Sequence, residues 1–274
     1  MGFTFLVWNV EKFKTDNKER TKKVAQKIYE HNPDVFGLLE FKARGSARSL
    51  VTDYFPDYDF AFTYTKMNIE ILVGWRRGYF KQVLYTQRRD LAASENLRPG
   101  GLVSFQQRGD RFFHNILFLH LDSGGTTNDY NNRRDMYKKI WKLNSALKKL
   151  KIQNKKSRLI VLGDLNVMGK DEGRKVSAKK ELDNLKQDAK DAKMEMLEKS
   201  FDFTWKGSGR YPDSDLDHVI ASSGLKFERW ISENESKIWE IEVDGWNNLD
   251  TESERRKFAR EISDHSPLIG RVTD

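Results

Sequence analysis

Near its C-terminus the chain reads EISDHSPLIG, which sets Ser263, Asp264 and His265 immediately before an apolar run. An acid and an imidazole at the mouth of the strand expected over Pro267–Val272 can share one site, although a polar turn would use the same residues. Other apolar runs end in similar chemistry. In LIVLGDLNVMG a fully apolar stretch stops at Gly163 and is followed by Asp164 and Asn166, two residues apart and able to face one pocket. Asp164 can accept a proton or bind a hard cation, and the Asn166 amide can donate to a phosphate oxygen. An Asx turn is about as common at such a place. FFHNILFLHLDSGG puts His120 at the end of a long strand, beside a glycine-rich loop where backbone could approach a ligand. His114 lies deeper in the same run and reads as a core or edge histidine. PDSDLDHVIAS places Asp217 at a strand start, with His218 pointing to the opposite face. A buried carboxylate can hold an imidazole in one tautomer and favour its protonated form, so Asp217 with His265 would make a workable dyad. Asn9 comes near the end of the first strand in LVWNV, and Glu40 closes the run VFGLLE. Taken singly, a carboxylate after a buried strand is more often a helix cap or a surface ion pair than a metal ligand.

The elements that must position these residues alternate along the chain. Strands are expected over Thr4–Val10, Val35–Glu40, Asp59–Thr63, Ile69–Trp75, Phe80–Thr86, Gly101–Gln107, Arg111–Leu121, Arg158–Gly163, Asp202–Lys206, Leu216–Ala221, Lys226–Trp230, Ile238–Val243 and Pro267–Val272. Helices are expected over Lys18–Glu30, Ala43–Tyr54, Asn132–Lys151, Ser177–Lys199 and Thr251–Glu261. In the third, Met136, Ile140, Leu143, Leu147 and Leu150 recur at four-three spacing, while Lys138, Lys142 and Lys149 fall on another face. Such a pattern describes a mixed α/β domain whose helices cover two sheets.

Composition narrows the chemistry. The 274 residues contain no cysteine, which excludes disulfides, thiolate metal sites and a cysteine nucleophile. Any metal must be held by oxygen or imidazole. With 38% hydrophobic and 12% aromatic residues the chain can build one large core, so residues 1–274 are expected to form a single domain. The opening MGFTFLVWNV enters a strand-like run without the basic region of a signal peptide, and no apolar stretch approaches the length of a membrane span. The expectation is a cytoplasmic or otherwise intracellular protein without stable membrane association. Lys and Arg outnumber Asp and Glu by 49 to 41, a formal net charge of +8. That balance is a weak vote for a polyanionic partner, nucleic acid first, and an ordinary solvated surface would also account for it.

The order of the polar residues is more informative than any one of them. Asn9, Glu40, His120, Asp164 with Asn166, Asp217, then Asp264 with His265 resemble the endonuclease/exonuclease/phosphatase (deoxyribonuclease I-like) superfamily. The resemblance runs from residue 4 to 272 and is carried by WNV, LLEFK, HLDSG, GDLNVM, LDHVIAS and SDHSP, with VGWRRGYF fitting the family's strand before an Arg-bearing turn. It implies a four-layer α/β sandwich of two packed mixed β-sheets flanked by helices. It also implies that Glu40 is the principal Mg²⁺ or Mn²⁺ ligand, with Asn9 and Asp264 close to the metal. Asp164 would orient or deprotonate the attacking water, and Asn166 would hold a phosphate oxygen. His120 and His265, the latter braced by Asp217, would steady the charge on the phosphoryl group. The chemistry of the residues agrees, because an anionic phosphodiester needs a metal and placed donors to offset the charge that develops during in-line attack.

His120 resembles the deoxyribonuclease I, sphingomyelinase and tyrosyl-DNA phosphodiesterase branches rather than the abasic-site endonucleases, which usually carry tyrosine there. The absence of cysteine and signal peptide counts against a secreted digestive nuclease. Substrate choice in this fold lies in loops, here residues 88–100, 122–133 and 206–215. Arg88, Arg89, Arg98, Arg133 and Arg134 could approach a phosphate backbone, with Tyr130 and Trp205 available to stack on a base or sugar. Each of these arginines could equally be a solvated surface side chain, and Trp205 could simply close the core. The expected function is a Mg²⁺-dependent phosphodiesterase on nucleic acid, DNA ahead of RNA. A phosphomonoesterase or sphingomyelinase-like phosphodiesterase with the same metal centre is the alternative, and a catalytically silent nucleic-acid-binding protein is the third.

Overall fold

Apolar, β-branched runs become strands here, and the amphipathic stretches between them become helices. The computed structural model describes residues 2–13, 17–42, 53–65, 69–94, 97–171, 174–232 and 236–273. In chain order the elements are β1 (Phe3–Phe13), α1 (Lys18–His31), β2 (Val35–Phe41), β3 (Tyr58–Phe62), β4 (Glu70–Arg76), β5 (Gln82–Arg88), β6 (Gly100–Gln106), β7 (Phe113–His120), α2 (Thr127–Lys149), β8 (Leu159–Asp164), β9 (Lys170–Asp171), β10 (Arg174–Lys175), α3 (Ala178–Asp191), β11 (Met194–Met196), β12 (Asp217–Ser222), β13 (Trp230–Ile231), β14 (Ile238–Trp239), β15 (Ile241–Val243), α4 (Glu252–Glu261) and β16 (Leu268–Val272). Two compact units carry them: Met1–Tyr79, Glu198–Asp215 and Lys226–Asp274 form the first, and Phe80–Leu197 with Leu216–Leu225 the second.

The first unit is built on a six-stranded sheet in the order β15-β16-β1-β2-β4-β3. Only β1 and β2 are parallel; every other neighbouring pair is antiparallel. A parallel pair needs a crossover, and α1 supplies it. Its first turn is closed by the Asn17 side chain, which accepts the N–H of Arg20, and it ends at Asn32 in the left-handed region with φ 45°. Thr21, Val24, Ala25 and Ile28 form its buried stripe, and Val24, Ala25 and Ile28 pack into a core with Leu6, Trp8, Phe36, Leu38 and Leu72.

The second unit repeats the plan, with sheet order β11-β12-β8-β7-β6-β5 and β7–β8 as its one parallel pair, joined by α2. Met136, Ile140 and Leu143 face the core with Leu117, Leu119, Leu159 and Val161, while Lys138, Lys142 and Lys149 are exposed. Each parallel pair therefore presents the carboxyl ends of two adjacent strands, the place where open α/β sheets bind ligands.

Several boundaries depart from the sequence-based expectation. α2 starts five residues before Asn132 because Thr126 and Asp129 form a reciprocal capping box. The helix expected over Ser177–Lys199 stops at Asp191: Lys193 turns left-handed with φ 59°, and Met194–Met196 pairs antiparallel with β12 instead. Ile238–Val243 is split at Glu240 between β14 and β15, which belong to different sheets. Asp202–Lys206 forms no strand, only isolated bridges through Trp205 to Ser214 and His265. Lys226–Trp230 likewise contributes one bridge, Phe227 to Val272, before the short β13. Of the helix expected over Ala43–Tyr54, residues 43–52 lie outside the described residues.

Candidate active site

Backbone register assembles the polar residues of the second unit. His120 is the β-partner of Asp164 across β7–β8, and Asp164 is the partner of Asp217 across β8–β12. Partners in register point to one face, so His120, Asp164 and Asp217 stand in a row across three adjacent strand ends. All three are buried, each less than 5% exposed, and His120 Nε2 lies 3.5 Å from Asp164 Oδ2. Gly163 permits this approach: its φ is +137°, and a Cβ there would sit 2.0 Å from the Leu119 carbonyl oxygen. Asp164 Oδ1 accepts the N–H of Asn166 at 3.1 Å, and Asn166 is left-handed with φ 50°. The Asx turn is thus present, and it aims the Asn166 amide inward, where Nδ2 donates to the Leu121 carbonyl at 3.1 Å. His218 alternates to the other face of β12, and His114 sits in the core stacked on Phe105 at 5.8 Å.

In the first unit the functional candidates sit where register breaks. β1–β2 pairing is regular up to Asn9↔Leu39 and resumes only at Phe13↔Phe41, and β2–β4 pairing slips between Leu38 and Phe41. Glu11, Lys12 and Glu40 all have positive φ there, at 42°, 46° and 59°. Irregularities of this kind bend a strand and re-aim its side chains. Side chains of the site hold the distortion in place: Glu40 Oε2 accepts the Lys12 N–H at 3.0 Å, Asn9 Oδ1 accepts the Glu11 N–H at 3.0 Å, and Asn9 Nδ2 lies 3.4 Å from Glu40 Oε1. Arg20 ties the same segment to the other flank, donating to Val10 O at 2.7 Å, Glu11 O at 3.0 Å and Ile262 O at 2.9 Å.

Ser263 explains the SDH sequence. It is fully buried, its Oγ donates to Asn9 O at 2.7 Å and accepts the N–H of His265 at 3.1 Å, and Trp8 Nε1 donates to His265 O at 2.8 Å. Asp264 and His265 are thereby docked against the β1 segment that carries Asn9. Trp205 Nε1 donates to Asp264 Oδ2 at 2.8 Å, while Asp264 Oδ1 is buried with no hydrogen-bond partner among the described residues. Desolvation, then the charge of Asp264, pushes the Glu11 carboxyl above its usual range, with Glu40 adding to the effect. The orphaned Asp264 oxygen, beside a Glu11 carboxyl on which Glu40 also acts, is the kind of hard oxygen donor a divalent cation takes.

The remaining candidates divide. Arg134 is exposed and Tyr130 half-buried on the first turns of α2. Arg133 does not serve as a surface phosphate contact: it is 0% exposed and its guanidinium is committed to Glu181 and to the carbonyls of Asp122 and Gly124. Arg98 similarly donates to His120 O and Leu121 O, and Arg88 is paired with Asp90. Sequence reasoning singled out Ser263 without giving it a role, and missed Arg20 and Glu11. Ser263 had a signal, being flush against the Asp264–His265 pair; Arg20 had none, since a basic residue on an amphipathic helix is ordinarily solvated.

The chain belongs to the Endonuclease/Exonuclease/phosphatase family, whose model matches residues 6–265. Members of this family are phosphoesterase hydrolases that use a divalent metal, and this chain is such a hydrolase. Comparison with curated proteins returns no match. Among solved structures, the chain is similar to TDP2 from Caenorhabditis elegans, with 14% identity, TM-score 0.67, and coverage of 100% of this chain and 76% of that one. It is similar to TDP2 from Danio rerio complexed with single-strand DNA product, at 14% identity, TM-score 0.64, covering 100% and 99%. It is also similar to a mannosyl-6-phosphatase from Bacteroides thetaiotaomicron, at 14% identity, TM-score 0.61, covering 99% and 100%. At that identity the likeness shows the fold, which is the α/β fold expected from the sequence.

Proposed function

We propose that the protein is a Mg²⁺-dependent phosphodiesterase that hydrolyses nucleic-acid phosphodiester bonds, DNA ahead of RNA, and that residues 1–274 act as one domain. The observation that carries the chemistry is the buried row of His120, Asp164 and Asp217 across three strand ends. Asp164 orients the water and takes its proton. Asn166 offers its second amide hydrogen to a non-bridging phosphate oxygen, and His120 and His265 donate to the phosphoryl group as its charge builds, with Asp217 as the orienting carboxylate. A divalent ion held by Asn9, Glu40 and Asp264 would neutralise phosphate charge and lower the barrier to attack. Support for DNA comes from the net charge of +8 and from the Danio rerio relative bound to single-strand DNA product.

A second reading, a phosphomonoesterase, is favoured by the similarity to the mannosyl-6-phosphatase over nearly the whole of both chains. Hydrolysis of single- and double-stranded DNA, RNA and a simple phosphomonoester, each with Mg²⁺, Mn²⁺ or EDTA, separates the two. Asp164→Asn should lower turnover by a factor on the order of 10³ or more while leaving the fold intact. Metal-dependent cleavage of a polynucleotide that the variant lacks supports the nuclease. Turnover of the monoester alone moves the protein to the second reading, and an active Asp164→Asn removes Asp164 from the mechanism.

A further inference from the structure

Arg133 sits on α2 without exposed surface, and its partners lie on the loop after β7 and on the first turn of α3. Nη1 donates to the carbonyls of Asp122 at 3.3 Å and Gly124 at 2.9 Å, on the loop that follows His120. Nε and Nη2 donate to Glu181 Oε1 at 3.3 and 3.0 Å. Glu181 belongs to the first turn of α3, and its other oxygen, Oε2, accepts the N–H of Met168 at 3.0 Å, two residues beyond Asn166. One continuous path of hydrogen bonds therefore runs from the loop leaving β7, through Arg133 and Glu181, to the loop leaving β8. The shorter link from Asn166 Nδ2 to Leu121 O joins the same two loops closer to the strand ends.

A buried ion pair is a poor device for stability alone, because apolar residues of similar volume often stabilise a core as well or better. What a guanidinium offers over them is geometry: a planar fork whose donors can bridge a carboxylate and two carbonyls in fixed directions. The same helix holds loop 122–124 at a second point, where Asn132 Nδ2 donates to Asp122 Oδ2 at 2.8 Å.

We propose that Arg133 and Glu181 are a positioning pair that sets the spacing between the His120 loop and the Asn166 loop for turnover, without touching substrate. The inference rests on the reading of His120, Asp164 and Asn166 as residues that meet the phosphate. Its test is the double variant Arg133→Met with Glu181→Leu, assayed on whichever ester the wild type hydrolyses. The apolar pair should keep Tm within about 4 °C of the parent. Misplacement of the loops by about 1 Å should lower kcat by roughly 100-fold with little change in KM, a split that loss of a purely structural contact would not give. Hydrogen exchange at Leu121, whose N–H donates to Asp164 O, and at Asn166, whose N–H donates to Asp164 Oδ1, should quicken together, and Arg133→Lys, which keeps the charge but not the fork, should fall between parent and double variant. A folded double variant with parental kcat, a loss confined to KM, or faster exchange at only one loop would overturn the proposal. Should the double variant not fold, Arg133→Lys and Glu181→Gln face the same criteria. Asp164→Asn in the same assay isolates the underlying reading: if that variant stays active the site assignment fails, while exchange at the two loops still decides whether the pair couples them.

Discussion

At the scale of single residues, the proposed site depends on side chains that neighbouring groups aim. In the proposed metal centre Asp264 would offer Oδ1 to the cation, since Trp205 occupies Oδ2, and the backbone N–H of Lys12 holds one oxygen of Glu40. Glu40→Ala should raise the metal concentration needed for half-maximal activity by more than about 10-fold. Trp205→Phe, which keeps the ring but removes the N–H, should shift it in the same direction by roughly 10-fold, as losing the partner of a metal-binding carboxylate does. Metal titrations of both activity and binding heat check this, and parental midpoints in both variants would count against the ligand assignment. Asp264 was legible in the sequence as an acid beside a histidine before a strand. The orienting role of Trp205 was not, because it depends on a backbone bridge between Trp205 and His265, sixty residues apart.

At the scale of elements, most strands and the helices α1 and α4 follow from apolar runs and caps that the sequence displays. Where the reading failed, two periodicities competed. Met196 continues the helical spacing of Leu182, Leu185 and Ala189, yet Met194–Met196 pairs with β12, and a short apolar segment by itself does not choose between those states. Glycine choices are equally structural. Gly163→Ala would force a Cβ onto the Leu119 carbonyl at a φ that L-residues avoid, between the two strands that present His120 and Asp164. It should cost roughly 1–3 kcal/mol of stability and depress turnover, measurable by urea unfolding and steady-state kinetics. An unchanged midpoint would show that β7 and β8 tolerate the shift.

At the scale of the whole molecule, the chain passes from one unit to the other four times, so neither unit is one continuous segment. The proposed single domain predicts that strands of both sheets lose hydrogen-exchange protection on one unfolding curve. Acid provides a way to trace it. Asp244 is partly buried, which raises its carboxyl, but hydrogen bonds from His31, Lys27 and Asn248 outweigh burial and hold it well below the usual carboxylate range. A carboxyl depressed in the folded state contributes stability that is full above its unfolded value near about 4 and is lost as pH falls below it. Asp244→Asn should therefore lower stability by about 1–3 kcal/mol at neutral pH and by progressively less below about pH 4. A deficit that stays constant down to low pH, or two separate exchange curves, would contradict one or the other expectation. Among the described residues no helix is long and apolar enough to cross a membrane.

The family, the alternation of strands and helices, and the identity of the polar residues at strand ends are legible in the chain itself, because hydrophobic periodicity and local motif chemistry are written within a few residues of one another. Which of those residues are aligned and which are consumed is settled by long-range packing. It set His120, Asp164 and Asp217 in one row through register between strands distant in the chain. It placed Asn9 and Glu40 at a slip between β1 and β2. It also turned Arg133 from a candidate phosphate contact into a buried bridge. Register, backbone strain and the partner of a long cationic side chain depend on contacts between residues far apart in sequence, so no local pattern records them.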